Sequence, residues 1–241
     1  MFEPAVEIEN LHFRYDRIDV LKDVSLVLKK NSFTVFLGPN GGGKTTLIKC
    51  IMGIQKPQNG SIKIHGTLPK ASKNRFGYIP QRLEFDPIFP ISLFEFVQQG
   101  LLSELPFYGM WKKDSYTKTE EILKKFELED LRKRAIGELS GGQLQRAIIA
   151  RAFVSDPDIL IFDEPLSGLD HKSAKNIISL IEQLLGKKTI ILITHVITHL
   201  LKKANSVYLV EKTVCPLKDD ALCKHMELGL FHTESEGCNH E

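Results

Sequence analysis

The first 66 residues show the alternation of apolar and polar positions that is typical of half-buried strands. Residues 5–15, AVEIENLHFRY, and residues 20–28, VLKDVSLVL, each predict one such strand. Residues 32–38, SFTVFLG, predict a short apolar strand that leads into a glycine-rich loop, and TTLIKCIMG then predicts a helix. The glycine-bracketed segment GSIKIHG predicts a further strand. The chain is therefore expected to begin with a β-rich subdomain.

Beyond residue 75 the pattern changes to apolar strands that alternate with helices. This order predicts an α/β fold with a mainly parallel core sheet covered on both faces. An antiparallel β subdomain and a helical subdomain at about residues 82–150 are expected beside that sheet. We expect one domain over residues 1–212 and a flexible polar tail over 213–241, because the periodic pattern ends after Lys212. The strands are predicted in FGYIP, DILIFDEP, TIILITH and SVYLV, and the helices at Tyr116–Phe126, Gly142–Val154 and Lys172–Leu185.

Composition narrows the classes of partner. The net charge is +2, which does not favour the basic patch that nucleic-acid binding requires, so no nucleic-acid partner is predicted. No apolar run approaches the roughly 18 to 20 residues of a membrane span. The N-terminus MFEPAVEIEN lacks the basic start and apolar centre of a signal peptide, so we expect a cytoplasmic location.

Residues 38–45, GPNGGGKT, have the spacing of a phosphate-binding P-loop, between a predicted strand and a predicted helix. Backbone N–H groups of such a loop and the N-terminus of the next helix hold negative charge. Lys44 is placed to reach the β- and γ-phosphates, Thr45 to bind Mg²⁺, and Thr46 to contact the α-phosphate. The predicted nucleotide-binding residues of this loop are Gly38, Pro39, Asn40, Gly41, Gly42, Gly43, Lys44, Thr45 and Thr46.

Two carboxylates and a histidine end later apolar strands. Asp163 and Glu164 follow ILIF, and carboxylates at the carboxyl end of a parallel strand lie where α/β sheets bind ligands. Asp163 suits a Mg²⁺ shell and Glu164 suits the activation of water, although a surface turn before Pro165 would also explain the pair. His195 ends TIILITH and is placed either to contact the γ-phosphate or to cap the next helix.

A second glycine pair lies in LSGGQLQR, residues 139–146, at a predicted helix start. Ser140 and Gln143 have the spacing of a capping box, so a well-capped helix is one interpretation. Glycine lowers helix stability by about 1 kcal/mol, and bare glycines at a helix N-terminus make a phosphate site. Two copies packed head to tail would place Ser140, Gly141 and Gly142 against the ATP on the partner's P-loop.

In this order, GPNGGGKTT, LSGGQLQR, ILIFDEP, SGLD and TH resemble the nucleotide-binding subunit of an ATP-binding-cassette transporter. The resemblance covers about residues 5–211 and implies the P-loop NTPase cassette fold, ATP and Mg²⁺ as cofactors, and ATP hydrolysis. It also implies a head-to-tail dimer around two ATP, in which His195 is the switch histidine.

Position by position, the resemblance implies further site residues. Tyr15 would stack on adenine, and Gln81 would contact Mg²⁺ or the attacking water. Asp163 would support Mg²⁺, and Glu164 would be the catalytic carboxylate. Asp170, in SGLD, would face the opposite subunit. Gln143, in LSGGQLQR, would be a further nucleotide-binding residue.

Other classes of P-loop protein fit less well. A kinase or GTPase would not explain LSGGQLQR, and no N-K-x-D guanine motif is present. A cassette ATPase of DNA repair would carry long coiled coils, and no heptad run appears. A translation cassette protein usually has two cassettes in one chain.

The segment YIPQRLEFDPIFPISLFEFVQQG is similar to the metal-cation importer group, which carries zinc, manganese or iron. Siderophore and haem importers have related cassettes and remain the alternative. Ser92 and Glu95 predict a capped helix, and about Phe85–Phe94 is expected to receive a helix of a separate membrane permease. The protein would then lie peripherally at the cytoplasmic face of the cell membrane, with a solute-binding protein as an indirect partner.

Overall fold

The computed structural model describes residues 3–69, 75–81, 89–107, 109–195 and 199–217. Two sheets and five α-helices organise these residues, and each strand and helix that the sequence predicted is present. The strands are β1 Pro4–Tyr15, β2 Ile18–Lys29, β3 Phe33–Leu37, β4 Asn59–Ile64, β5 Phe76–Ile79, β6 Ile159–Asp163, β7 Thr189–Ile193, β8 Ser206–Glu211 and β9 Thr213–Leu217. The α-helices are α1 Lys44–Ile51, α2 Leu93–Gln98, α3 Lys113–Lys125, α4 Gly141–Phe153 and α5 His171–Leu184, and the 3₁₀ helices are Gln99–Glu104, Glu129–Leu131, Ile136–Glu138 and His199–Lys203.

The larger sheet has the strand order β5-β6-β7-β3-β8-β9. All of its pairs are parallel except β8 with β9. Every residue of β3, β6 and β7 is buried, because layers of structure cover both faces of these strands. This explains why their sequences are continuous apolar runs. The α/β fold with a mainly parallel core sheet is confirmed.

The smaller sheet is antiparallel, with the order β2-β1-β4, and forms the predicted β subdomain. Its buried residues share one apolar cluster with α1 and with Phe36 of β3. The neighbouring residues Val35 and Leu37 point into a second cluster, which includes α2 and α4. The central strand therefore anchors both halves of the molecule, and a change of Phe36 to Ala would cost about 3–5 kcal/mol of stability.

The last described strand contradicts the prediction of a tail that begins at residue 213. Thr213–Leu217 form β9, which pairs in an antiparallel register with β8 at the edge of the sheet. The expected boundary at Lys212 is therefore too early, because Lys212 is the turn of a hairpin and residues 213–217 belong to the sheet. The rest of the predicted tail lies outside the described residues.

The predicted capping box at the start of α2 is confirmed. Ser92 accepts a hydrogen bond from the Glu95 amide, and the Glu95 carboxylate accepts one from the Ser92 amide. The helix contributes to the core through Leu93, Phe96 and Val97, all of which are buried. Within the described ranges, no helix has the length and apolar character needed to cross a membrane.

Candidate functional site

The P-loop lies between β3 and α1 and packs tightly against β8. A Cβ atom added to Gly38 would lie 2.2 Å from the Val210 carbonyl oxygen, and one added to Gly42 would lie 2.5 Å from the same atom. Real Cβ atoms do not approach a backbone oxygen this closely, so both positions require glycine. The Lys212 amide also donates to the Gly42 carbonyl at 3.0 Å. The loop conformation therefore depends on the hairpin of β8 and β9.

Lys44 begins α1 and is buried within the loop. Its Nζ donates to the carbonyls of Gly38, at 2.7 Å, and Pro39, at 2.9 Å. Burial lowers the pKa of Lys44, and the nearby carboxylates of Glu164 and Asp163 oppose this shift. The structure thus brings the predicted phosphate ligand and the predicted acid pair into electrostatic contact. Thr45 is exposed on the next position of the helix, whereas Thr46 is buried.

Asp163 is the last residue of β6 and is almost completely buried. The Tyr78 hydroxyl, on the adjacent strand β5, donates to Asp163 Oδ2 at 2.9 Å. Burial raises the pKa of Asp163, and the hydrogen bond from Tyr78 and the charge of Lys44 act in the opposite direction. The sequence does not indicate Tyr78 as a site residue, because it lies within an apolar segment that predicts only a buried strand.

Glu164 follows directly and is also buried, with a left-handed backbone at φ +48°. That conformation costs about 1–2 kcal/mol in a residue that carries a Cβ atom. The Glu164 amide donates to the Ile193 carbonyl of β7 at 2.9 Å, which holds the turn in place. A strained, buried carboxylate at the edge of a sheet is typical of a functional site.

Two predicted residues converge on the Glu164 carboxylate. Gln81 Nε2 donates to Glu164 Oε2 at 2.7 Å. His195 Nδ1 lies 3.2 Å from the same oxygen, although the two groups are not aligned as a hydrogen bond. The carboxyl ends of β5, β6 and β7 thus bring together three residues that are far apart in the sequence. Their grouping supports one site at this edge of the sheet.

The predicted adenine-stacking residue, Tyr15, ends β1 at the turn into β2. Its ring is 43% exposed, and Phe13 packs edge-to-face against it with centroids 4.9 Å apart. The neighbouring ring fixes the position of Tyr15, while the exposed ring surface is open to a planar ligand. This arrangement suits stacking on a base.

The second glycine pair lies at the N-terminus of α4. The predicted capping box is confirmed, since Ser140 accepts from the Gln143 amide and the Gln143 side chain accepts from the Ser140 amide. A Cβ atom added to Gly141 or Gly142 would meet no described atom within 4 Å apart from those of its chain neighbours and of the α4 backbone. Neither glycine adopts a left-handed backbone. The described part of the fold therefore supplies no reason for either glycine.

Asp170 lies just before α5 and is exposed. Its carboxylate accepts hydrogen bonds from the Ser173 amide at 3.0 Å and the Ser173 hydroxyl at 2.6 Å. Asp170 thus has a local role as a helix cap. Its predicted contact with a second subunit stays a prediction.

Comparison with known proteins identifies the family. The family model described as "ABC transporter" matches residues 21–167. An ATP-binding protein of Chlamydia pneumoniae, assigned to a metal transport system, is 36% identical over 90% of this chain and 92% of its own. The high-affinity zinc uptake system ATP-binding protein of Bacillus subtilis is 35% identical over 79% of this chain and 84% of its own.

Solved structures agree with this result. An inward-facing ABC transporter assigned to the metal-chelate type has a TM-score of 0.79 and 28% identity, and the match covers 94% of this chain and 87% of that one. A dimeric ATP-binding cassette in a post-hydrolysis state, bound to ADP and Pi, has a TM-score of 0.72 and 26% identity, with 88% and 98% coverage. The chain therefore belongs to the ABC transporter family, as a nucleotide-binding ATPase subunit.

Proposed function

We propose that this subunit energises the import of a metal cation, such as zinc, manganese or iron, through a separate permease. The observation that carries this proposal is the identity of 34–36% to ATP-binding proteins named for metal transport or zinc uptake. Import of a metal chelate, such as a siderophore or haem, is the second candidate. It is favoured by the similarity to a solved transporter of the metal-chelate type.

The protein acts in this proposal as a head-to-tail dimer around two ATP molecules. The N-terminus of α4 carries two glycines whose Cβ positions face open space, with no described atom outside their chain neighbours and the α4 backbone within 4 Å. The P-loop already supplies one phosphate site in each chain. The N-terminus of α4 would therefore bind the phosphates of the ATP held by the P-loop of another copy. Asp170 lies exposed beside α5 and would face the same partner. The dimeric structure of a related cassette supports this arrangement.

Mg²⁺ fits the residues at the edge of the sheet. Asp163 offers a buried carboxylate and Thr45 an exposed hydroxyl, and Mg²⁺ prefers oxygen ligands of this kind. When bound, the ion would neutralise charge that develops on the phosphates. Gln81 is the third residue proposed to reach the ion or the attacking water.

The chain's own residues then perform the hydrolysis. Lys44 exchanges its carbonyl partners for β- and γ-phosphate oxygens and stabilises their charge. Glu164 accepts a hydrogen bond from the attacking water and orients it towards the γ-phosphorus. His195, on the neighbouring strand end, stands beside Glu164 and contacts the γ-phosphate as the dimer closes.

The permease would dock on the surface that precedes and begins α2. Phe89 is 58% exposed, and Phe94 stacks on the exposed ring of Tyr116 with centroids 5.9 Å apart. Residues 85–88 of the predicted surface lie outside the described residues. Exposed rings beside partly buried ones suit an apolar helix of a membrane protein. The subunit would thus bind peripherally at the cytoplasmic face of the cell membrane.

The test is ATP-driven uptake in vesicles that contain the copurified permease and its solute-binding protein. We expect uptake of zinc, manganese or iron with the parent subunit and none with the Glu164→Gln variant. That variant should retain ATP binding and accumulate as a dimer, which size-exclusion chromatography detects. Uptake only of metal chelates would favour the second candidate. Unchanged ATP hydrolysis in Glu164→Gln would remove Glu164 from its proposed role.

A further inference from the structure

Tyr78 contacts Asp163, the first residue of the acid pair, from a strand that carries no predicted site residue. It lies in β5, which pairs in parallel with β6, so that Tyr78 is opposite Ile161 and Ile79 is opposite Phe162. This register places the Tyr78 hydroxyl next to the end of β6, where it donates to Asp163 Oδ2 at 2.9 Å. The contact joins a half-buried ring to a carboxylate that is only 5% exposed.

The hydrogen bond constrains the orientation of the Asp163 carboxylate. The last torsion of an aspartate is broad, so the carboxylate plane is poorly defined without an anchor. The Tyr78 ring packs against the apolar cluster between the two sheets, which fixes the position of its hydroxyl. An aromatic side chain has only two torsions, so holding its hydroxyl in place costs little conformational entropy. One carboxylate oxygen is thereby tied to the core, and the other is oriented with it.

The end of β5 also contacts the second carboxylate. Gln81, three residues after Tyr78, donates to Glu164 Oε2 at 2.7 Å. One short segment therefore supplies a donor to each of two adjacent acids, Asp163 and Glu164. A displacement of this segment would change the orientation of both acids together.

We propose that Tyr78 is a positioning residue that orients the Asp163 carboxylate for Mg²⁺. This inference rests on the proposed role of Asp163 in binding Mg²⁺. Tyr78 itself does not touch the nucleotide or the ion. Its effect passes through the Asp163 carboxylate alone, so its loss should change the dependence on divalent cation and leave metal-free nucleotide binding unchanged.

The test introduces Tyr78→Phe into the non-hydrolysing Glu164→Gln background and measures binding of a fluorescent ATP analogue against Mg²⁺ concentration. We expect the half-saturating Mg²⁺ concentration to rise about tenfold, the effect of losing one hydrogen bond to a charged group. Affinity in EDTA should stay close to that of the parent, whereas the unfolding midpoint should fall by a few degrees, because the buried Asp163 carboxylate loses one donor. Mn²⁺ titration followed by electron paramagnetic resonance should show the same shift. Tyr208→Phe is the matched control, because it removes a tyrosine hydroxyl from the same apolar cluster.

Three results would overturn the proposal in distinguishable ways. An unchanged Mg²⁺ dependence in Tyr78→Phe, with a large shift in Asp163→Asn, would refute the role of Tyr78 alone. Equal weakening of ATP binding with and without Mg²⁺ would show a general structural role. An unchanged Mg²⁺ dependence in Asp163→Asn would refute the role of Asp163, and the inference about Tyr78 would fail with it.

Discussion

Replacement of Gly142 by alanine should stabilise the chain and inactivate it. Gly142 lies in the first turn of α4 and has no left-handed backbone. A Cβ atom at this position would meet no described atom within 4 Å outside its chain neighbours and the α4 backbone. An alanine therefore fits the isolated subunit without strain. Among the described residues, the methyl group reaches only the open space in front of the helix N-terminus, where the partner's ATP is proposed to bind.

The two effects of Gly142→Ala have opposite signs. Alanine is about 1 kcal/mol better than glycine inside a helix, and about half of that gain is expected at a first-turn position. For a chain of this size, this gain raises the midpoint of thermal unfolding by about 1–2 °C. The added methyl group keeps phosphate oxygens from the backbone N–H groups of α4. Loss of such donors costs about a hundredfold in turnover or more.

Thermal unfolding and steady-state ATP hydrolysis measure the two effects separately. ATP affinity of the isolated subunit should be unchanged, because the P-loop of the same chain is untouched. In the Glu164→Gln background, Gly142→Ala should prevent the ATP-dependent dimer on size-exclusion chromatography. A Gly142→Ala variant with parental turnover and a normal dimer would refute the proposal that α4 binds the partner's nucleotide.

Other substitutions test the remaining parts of the site. Lys44→Ala should weaken ATP binding by about 2–3 kcal/mol, because the phosphates lose a charged hydrogen-bond donor. Isothermal titration calorimetry measures this change, and an unchanged affinity would exclude a role of Lys44 in binding phosphate. Phe89→Asp should abolish metal uptake and leave basal ATP hydrolysis unchanged. Ile54→Asp is the control, because Ile54 is a similarly exposed apolar residue. Normal metal uptake by Phe89→Asp would show that Phe89 is not part of the permease surface. Gly42→Ala should reduce nucleotide affinity and lower the unfolding midpoint, because its Cβ atom overlaps the Val210 carbonyl; a fully stable, active variant would contradict the close packing of the loop.

The periodicity of the sequence was sufficient to predict most strands and helices, but it did not predict the edge strand β9. The fully apolar strands β3, β6 and β7 were predictable because strands buried on both faces have no polar alternation. The two capping boxes were predictable because they depend only on residues three apart. Strand β9 was missed because its five residues include Pro216, which is compatible with an edge strand but weakens the strand signal.

Site residues in a local motif could be proposed from the sequence, whereas contacts that depend on sheet register could not. The P-loop carries its own spacing, so the prediction of its residues did not need the fold. Contacts such as Gln81 with Glu164, or Tyr78 with Asp163, join residues more than 80 positions apart. They exist only because β5 and β6 are neighbours in the sheet.

The contact between the P-loop and the β8–β9 hairpin also sets an order of events during synthesis. Gly38 and Gly42 are synthesised about 170 residues before Val210 and Lys212, which hold the loop. A nascent chain that has not yet released this hairpin lacks one wall of its nucleotide site. The subunit therefore becomes able to bind ATP only after the β8–β9 hairpin has been synthesised, and chains released before that point should not bind nucleotide.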